Sequence, residues 1–349
     1  MTVRRPPVSI ADFRVRQLEP NLTAILPGKC QARCAFCIEP EGPDPRSSEE
    51  WLRSFETLID RELPSIFRIL SISGGEPSLS PVFERLLRLL ARFRESGRLK
   101  RVVLTTNGSV KGLTRHLDAL GEGVTHVNIS RHSGDDIANA RVFKTKDVPD
   151  RKQLADLISQ MNHRGLPVNF NCVYSSDHAF GKKTYGVTRE ELRVEAKRFI
   201  TFAKDVGASS VVFRHDHRDP HLERSTALED AFDDYKVVHH VECAACRVVG
   251  KMIRGMPVNF KRSVYEPTET GLSTELYELV FHSDGGLYRD WSRLHPVRRP
   301  LPATTPTSDW DELRPRPDRP SALPVAECDA PQSTCNLMVV VKEQVRPRE

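Results

Sequence analysis

Three cysteines fall within eight residues, Cys30, Cys34 and Cys37 in GKCQARCAFCIEP, at the spacing C-x3-C-x2-C. Three thiolates on one short loop can each hold an iron of a [4Fe-4S] cluster and leave the fourth iron open to another ligand. Zinc is the rival, but a structural zinc site closes with four protein ligands and this loop offers no fourth Cys or His. Further cysteines come as two pairs, Cys243 with Cys246 in HHVECAACR and Cys328 with Cys335 in the tail. Together these four would suffice for an auxiliary [4Fe-4S] cluster or for zinc, with His239 and His240 as further imidazole ligands. Cys172, alone in VNFNCVY, reads as a buried core thiol.

Other residue types suit binding and catalysis. In SISGGEP, Gly74 and Gly75 would let a backbone approach a ligand closely, while Glu76 is followed by Pro77, which stiffens the turn. Arg131, Arg214, His215 and His217 are candidates for orienting an anion, since Arg offers a rigid fork of donors. His132 is a candidate catalytic proton carrier near neutral pH, and Arg131 beside it is counted with the catalytic set.

These groups need a scaffold. Six strand-like runs stand out at Leu22 to Leu26, Ile69 to Ser73, Val102 to Thr106, His126 to Ser130, Val168 to Tyr174 and Ser210 to His215. Nearly every run is followed by a helical pattern. Ser47 with Glu50 and Thr188 with Glu191 read as capping boxes, Ser80 as a cap ahead of Pro81, and Gly97 and Gly207 as helix stops. Val82, Phe83, Leu86, Leu87, Leu90 and Phe93 make one apolar stripe, that of a helix laid on a sheet. Consecutive βα units imply an α/β fold with a parallel sheet, doubly wound or curled as a partial barrel, whose active face lies at the strands' C-terminal ends.

The expected divisions are an N-terminal extension over 1–17, the barrel over 18–238 and a small hairpin-bearing appendage over 239–295. A Pro-rich arm over 296–325 carries eight prolines, and a tail follows over 326–349. With 38% hydrophobic and 28% charged residues among 349, the chain is globular rather than disordered throughout. A formal net charge of +5 suits anionic substrates without demanding nucleic acid. No run of roughly 18 apolar residues occurs and the N-terminus has no signal-like segment, so the expectation is a cytoplasmic protein with no membrane partner. A reducing cytosol then reserves the cysteines for metal, catalysis or core.

The cysteine loop after the first strand, with the aromatic Phe36 just before Cys37, resembles that of the radical S-adenosylmethionine (radical SAM) superfamily. The GGEP of residues 74–77 and the TTNG of residues 105–108 are similar to its molybdenum-cofactor cyclase and SPASM/twitch branches. The resemblance implies a partial (β/α)6 barrel of the TIM type and a twitch-like hairpin beyond it. It implies [4Fe-4S] and S-adenosylmethionine as cofactors, and a reductant such as flavodoxin or ferredoxin as partner. The cofactor contacts then expected are Phe36, Gly74, Gly75, Glu76, Pro77, Thr106, Asn107, Ser130, Asn171, Val173 and Arg214. The GGEP motif is expected at the methionine amino group, and Asn171 and Val173 near the adenosine. In HVNISRHS, Ser130 matches the family's V-x-V-S-L-D, whereas Arg131 and His132 depart from it. Cys243 and Cys246 fall where these branches begin an auxiliary cluster. The implied chemistry is reductive cleavage of S-adenosylmethionine to a 5′-deoxyadenosyl radical that takes hydrogen from a small polar or anionic substrate, including a nucleotide. A peptide maturase is the alternative within the family. Outside it stands a non-catalytic iron-sulfur or zinc protein that binds nucleic acid.

Overall fold

The structure, a computed structural model, describes residues 14–15, 20–37, 48–63, 65–175, 178–183, 187–216, 219, 221, 226–243, 246–263, 275–276, 278–289, 291, 293 and 296–298. Six parallel strands succeed one another in sequence order: β1 (Asn21–Leu26), β2 (Ile69–Gly74), β3 (Arg101–Thr106), β4 (His126–Ser130), β5 (Val168–Tyr174) and β6 (Ser210–His215). Between them run α1 (Ser48–Thr57), α2 (Phe83–Glu95), α3 (Leu117–Gly123), α4 (Asp136–Phe143) and α5 (Arg151–His163), and α6 (Arg189–Asp205) precedes β6.

Strand residues alternate, and the alternation divides scaffold from site. Leu70 and Ile72 of β2, Val102 and Leu104 of β3, and Val168 and Phe170 of β5 are buried in the hydrophobic core. Their neighbours in sequence, Ser71, Ser73, Thr105 and Asn171, line a cavity on the other face. Parallel strands covered on both faces normally read as continuous apolar runs. Here the inner face is polar, and residues from β1 through β6 meet round one cavity, as in a sheet curled into a partial barrel.

The stripe on α2 packs as expected, with Phe83, Leu86, Leu87 and Leu90 buried. The Thr188 to Glu191 capping box is present at α6, and Gly97 and Gly207 take positive φ after their helices. Ser80 is a different matter. Its hydroxyl donates to the Pro27 carbonyl at 2.7 Å and does not cap α2, because Ser80 closes the turn at Pro77–Leu79, which brings it against the loop after β1. Ser47 lies outside the described residues. A second capping box, Asp150 with Gln153, starts α5.

Residues 239–295, expected as a separate appendage, instead contribute strands to both edges of the barrel sheet. β7 (Val237–Cys243), β8 (Cys246–Ile253) and β9 (Met256–Ser263) form an antiparallel meander, and β9 joins β6 in parallel. β10 (Glu278–Phe281) runs parallel to β1 at the opposite edge, followed by β11 (Leu287–Tyr288) and β12 (Pro296–Arg298). The cause is burial: Val258, Phe260, Leu279 and Phe281 belong to the barrel's own core. Among the described residues, twelve strands thus make one sheet, and no helix is long and apolar enough to cross a membrane.

Candidate active site

The loop that leaves β1 carries the three cysteines, all reduced and partly exposed. Its path is held by backbone bonds: Arg33 N–H donates to the Phe143 carbonyl at the end of α4 at 2.9 Å, and Cys37 N–H to the Cys34 carbonyl at 3.2 Å. Cys30 Sγ accepts from Ala32 N–H at 3.4 Å and from Asn107 Nδ2 at 3.7 Å, donors that favour a thiolate. A Cβ on Gly75 would stand 3.0 Å from Cys30 N and 3.2 Å from its Cβ, so only glycine lets the loop lie this close. Gly74, at φ 140, would put a Cβ 2.9 Å from the Leu26 carbonyl oxygen.

Glu76 ties the strand ends together. Its carboxyl, 2% exposed, accepts from Ser78 N–H (3.1 Å), Ser78 Oγ (2.6 Å), Thr106 Oγ1 (2.6 Å) and Asn107 N–H (2.7 Å). Burial pushes this carboxyl above its ordinary value, and the four donors pull the other way. Gly74 and Gly75 border the cavity, but Glu76 and Pro77 turn away from it; their part is to hold Asn107 and the turn.

Phe36, Thr106, Asn107 and Ser130 line the cavity beside the cysteines, as do Asn171 and Val173 of β5. Arg131 does not. Since Ser130 points inward, strand alternation sends Arg131 outward, where it is 1% exposed and bonded to the Ser133 and Pro149 carbonyls and to Asp136. It braces the loop before α4, stacked over Phe202 at 5.0 Å, and is no catalytic group. His132 does reach the cavity, but burial and the neighbouring Arg131 push it down to about 3. A neutral imidazole at every physiological pH cannot be the expected proton carrier.

Arg214 borders the cavity on the β6 side. His215 also borders the cavity; its buried ring places Nε2 3.0 Å from Asp219 Oδ2 and leaves Nδ1 without a partner, and His217 lies outside the described residues. Sequence reading missed Asn259 and Lys261 on β9. Both line the cavity, and Lys261 is the register partner of Arg214. The signal was present in VNFK, where period-2 alternation puts Asn259 and Lys261 on the face opposite Val258 and Phe260. Cys172 is buried, with its thiol raised by burial, as a core thiol should be.

A family model described as the Radical SAM superfamily matches residues 25–175, the span that carries the cysteine loop, GGEP and the first five strands. Over that span the chain is similar to the radical SAM superfamily. It is 30% identical over 147 residues to the GTP 3′,8-cyclase of Nitrobacter winogradskyi, a match covering 42% of this chain and 41% of that protein. To the GTP 3′,8-cyclase of Rhodopseudomonas palustris it is 29% identical over 174 residues, 49% of this chain and 48% of the relative. The chain thus spans less than half the length of the curated relatives it matches. Among solved structures, Streptococcus suis SuiB bound to S-adenosylmethionine superposes with a TM-score of 0.53 at 14% identity, covering 80% of this chain and 61% of that one. Native anSMEcpe with bound AdoMet gives 0.51 at 16%, covering 84% and 80%. Those two likenesses concern the fold, that of the partial TIM barrel.

Likeness to the radical SAM superfamily implies a [4Fe-4S] cluster and S-adenosylmethionine, and the residues fit both. Burial, Cys37 and Cys30, in that order, push the Cys34 thiol up to about 12. Burial raises the Cys30 thiol as well, so these two resist ionising together unless a cation offsets their charge. Among the described residues no three Cys, His, Asp or Glu side chains are gathered as one metal ion requires. A Zn–S bond near 2.3 Å would draw thiolates to about 3.8 Å apart, whereas a four-iron cluster gives each thiolate its own iron. Beside the thiols, the glycine pair and the polar inner face leave room for a ligand of mixed polarity.

Cys243, last in β7, and Cys246, first in β8, are backbone register partners. Cys246 also pairs with Ser263, two residues past the Lys261–Arg214 pair, so these strand ends stand where β6 finishes. Cys328 and Cys335 lie outside the described residues, as do residues 301–349 altogether, with most of the Pro-rich arm and the tail.

Proposed function

We propose that this chain cleaves S-adenosylmethionine reductively on a cluster held by Cys30, Cys34 and Cys37, and acts on a small polar, anionic molecule seated beneath Arg214 and Lys261. The observation that carries it is one cavity with three thiols at one side and two register-paired cations on β6 and β9 at the other. When bound, the cluster and S-adenosylmethionine supply a 5′-deoxyadenosyl radical, which abstracts hydrogen.

The chain's own groups supply position. Asn107 holds Cys30 Sγ through Nδ2 and is held in turn by Glu76 through its backbone. Gly74 and Gly75 admit the cofactor's polar end close to the backbone, and Phe36 with Phe143 walls the opposite side. Arg214 and Lys261 bind the substrate's anionic group, and Asn259, whose buried Oδ1 has no partner, accepts from a substrate donor. The electron comes from a reductant such as flavodoxin or ferredoxin. Cys243 and Cys246, standing at the mouth, begin an auxiliary metal centre in this reading; about eight irons per chain would support a second cluster, and about four with no zinc would remove it.

Reconstituted anaerobically and given dithionite and S-adenosylmethionine, the protein should release 5′-deoxyadenosine; its absence at full iron loading would sink the proposal. Metabolite and peptide profiling of cells with and without the active protein should then reveal a consumed anion. With Arg214 and Lys261 both changed to Ala, cleavage without substrate should stay within about twofold while KM for that anion rises at least about tenfold, the worth of a lost charge-assisted hydrogen bond. An unchanged KM, or a consumed neutral peptide, would remove the anionic assignment.

A further inference from the structure

His132 is fixed on every side but one. Its backbone N–H donates to Asn139 Oδ1 at 2.9 Å, and its ring packs edge-on against Phe36, centroids 4.7 Å apart, and obliquely against Phe143 at 5.0 Å. Val173 N–H donates to Nδ1 at 3.1 Å. A ring nitrogen that accepts carries no proton, so in the neutral imidazole the proton sits on Nε2. That Nε2–H is buried, in a residue 2% exposed, and has no partner, although the residue borders the cavity. An orphaned buried donor is costly and rare, and its acceptor is best sought in whatever fills the cavity.

We propose that His132 Nε2–H recognises the adenine of S-adenosylmethionine by donating to one ring nitrogen of the base. The inference rests on the cofactor reading above and adds a specificity-determining residue to it. The walls choose among the cofactor's acceptors. Around His132 stand the rings of Phe36 and Phe143, and a single neutral donor among aromatic faces would leave a carboxylate poorly solvated. A purine has flat faces for aromatic contact and lone pairs in its plane, which matches one in-plane donor between rings. His132 is thus a positioning residue that moves no proton, and it stands at a place where the sequence departs from V-x-V-S-L-D.

The test is binding to the anaerobically reconstituted, iron-counted protein, measured by calorimetry without turnover. Wild type should bind one of the 1-, 3- or 7-deaza analogues of S-adenosylhomocysteine about tenfold more weakly than S-adenosylhomocysteine itself. His132→Phe, which keeps the ring and removes the donor, should weaken S-adenosylhomocysteine and 5′-methylthioadenosine by that same factor. It should bind the sensitive deaza analogue no worse than it binds the parent. Equal wild-type affinity for the parent and all three deaza analogues would overturn the inference, and this arm needs no variant to fold. A loss in His132→Phe for S-adenosylhomocysteine but not for 5′-methylthioadenosine would also overturn it, placing the acceptor on the amino-acid end. Iron-loaded wild type that bound no S-adenosylhomocysteine would take down the cofactor reading itself.

Discussion

Replacing Cys34 with Ala is expected to strip the reconstituted protein of most of its iron and to lower 5′-deoxyadenosine formation more than about a hundredfold, since even outer-shell changes at metal sites cost about 10–100-fold. The reason lies in ligand count. The loop supplies three thiols with no fourth Cys or His among residues 30–37, so losing one leaves two irons anchored where three were. The fold should survive. Cys34 is partly exposed, and the Cys37 N–H bond to its carbonyl uses backbone that alanine retains, so the melting temperature should move little. Cys172→Ala is the matched control. Its thiol lies in the sheet's helix-facing core, with a weak contact to the His132 carbonyl at 3.8 Å, and should leave iron content at the wild-type level. Wild-type iron and product from Cys34→Ala would remove the cluster from this loop.

Much of the barrel was legible because its signals are local. Three of the six strand runs, at 126–130, 168–174 and 210–215, coincide with the observed elements, and the other three differ by one residue at an end. Alternation, caps and helix stops act over a few residues, and a short window holds them all. The edges were not legible. That β9 pairs with β6 and β10 with β1 depends on contacts made across the whole sheet, and Val258 or Phe281 looks the same in a detached hairpin as in a barrel edge. The site divides similarly. Cysteine spacing located the cluster loop and glycines located its neighbour, but direction at the end of β4 depended on parity: Ser130 and His132 face the cavity while Arg131 between them faces out. Counting outward from Ser130 by twos would have separated them. Burial by Phe36 and Phe143, which turns His132 from a titrating group into a fixed donor, comes from segments about a hundred residues before it and eleven after, beyond any local reading.

Glu76→Ala should lower stability by about 4 kcal/mol, because two buried backbone N–H groups, on Ser78 and Asn107, would lose their acceptor at about 1–3 kcal/mol each. The Ser78 and Thr106 hydroxyls can rotate to other acceptors, but a backbone N–H cannot. For a domain this size that is a fall of roughly 10 °C in melting temperature. Iron retention should fall with it, since Asn107 would no longer be pinned where its Nδ2 meets Cys30 Sγ. A pH series gives an independent reading. Burial raises the Glu76 carboxyl above its ordinary 4.5, so the native state holds the proton more readily than the unfolded chain. The stability this linkage contributes is complete below the unfolded value and is lost as pH rises through the folded one. Glu76→Gln cannot titrate, so wild-type stability minus that of Glu76→Gln should be largest at acid pH and should shrink as pH climbs past 4.5. Melting curves taken across that range decide it: a difference that grew with pH would mean the four donors outweigh burial and hold Glu76 as a carboxylate, while a Glu76→Ala melt within about 2 °C of wild type would mean Glu76 does not tie β2 to β3.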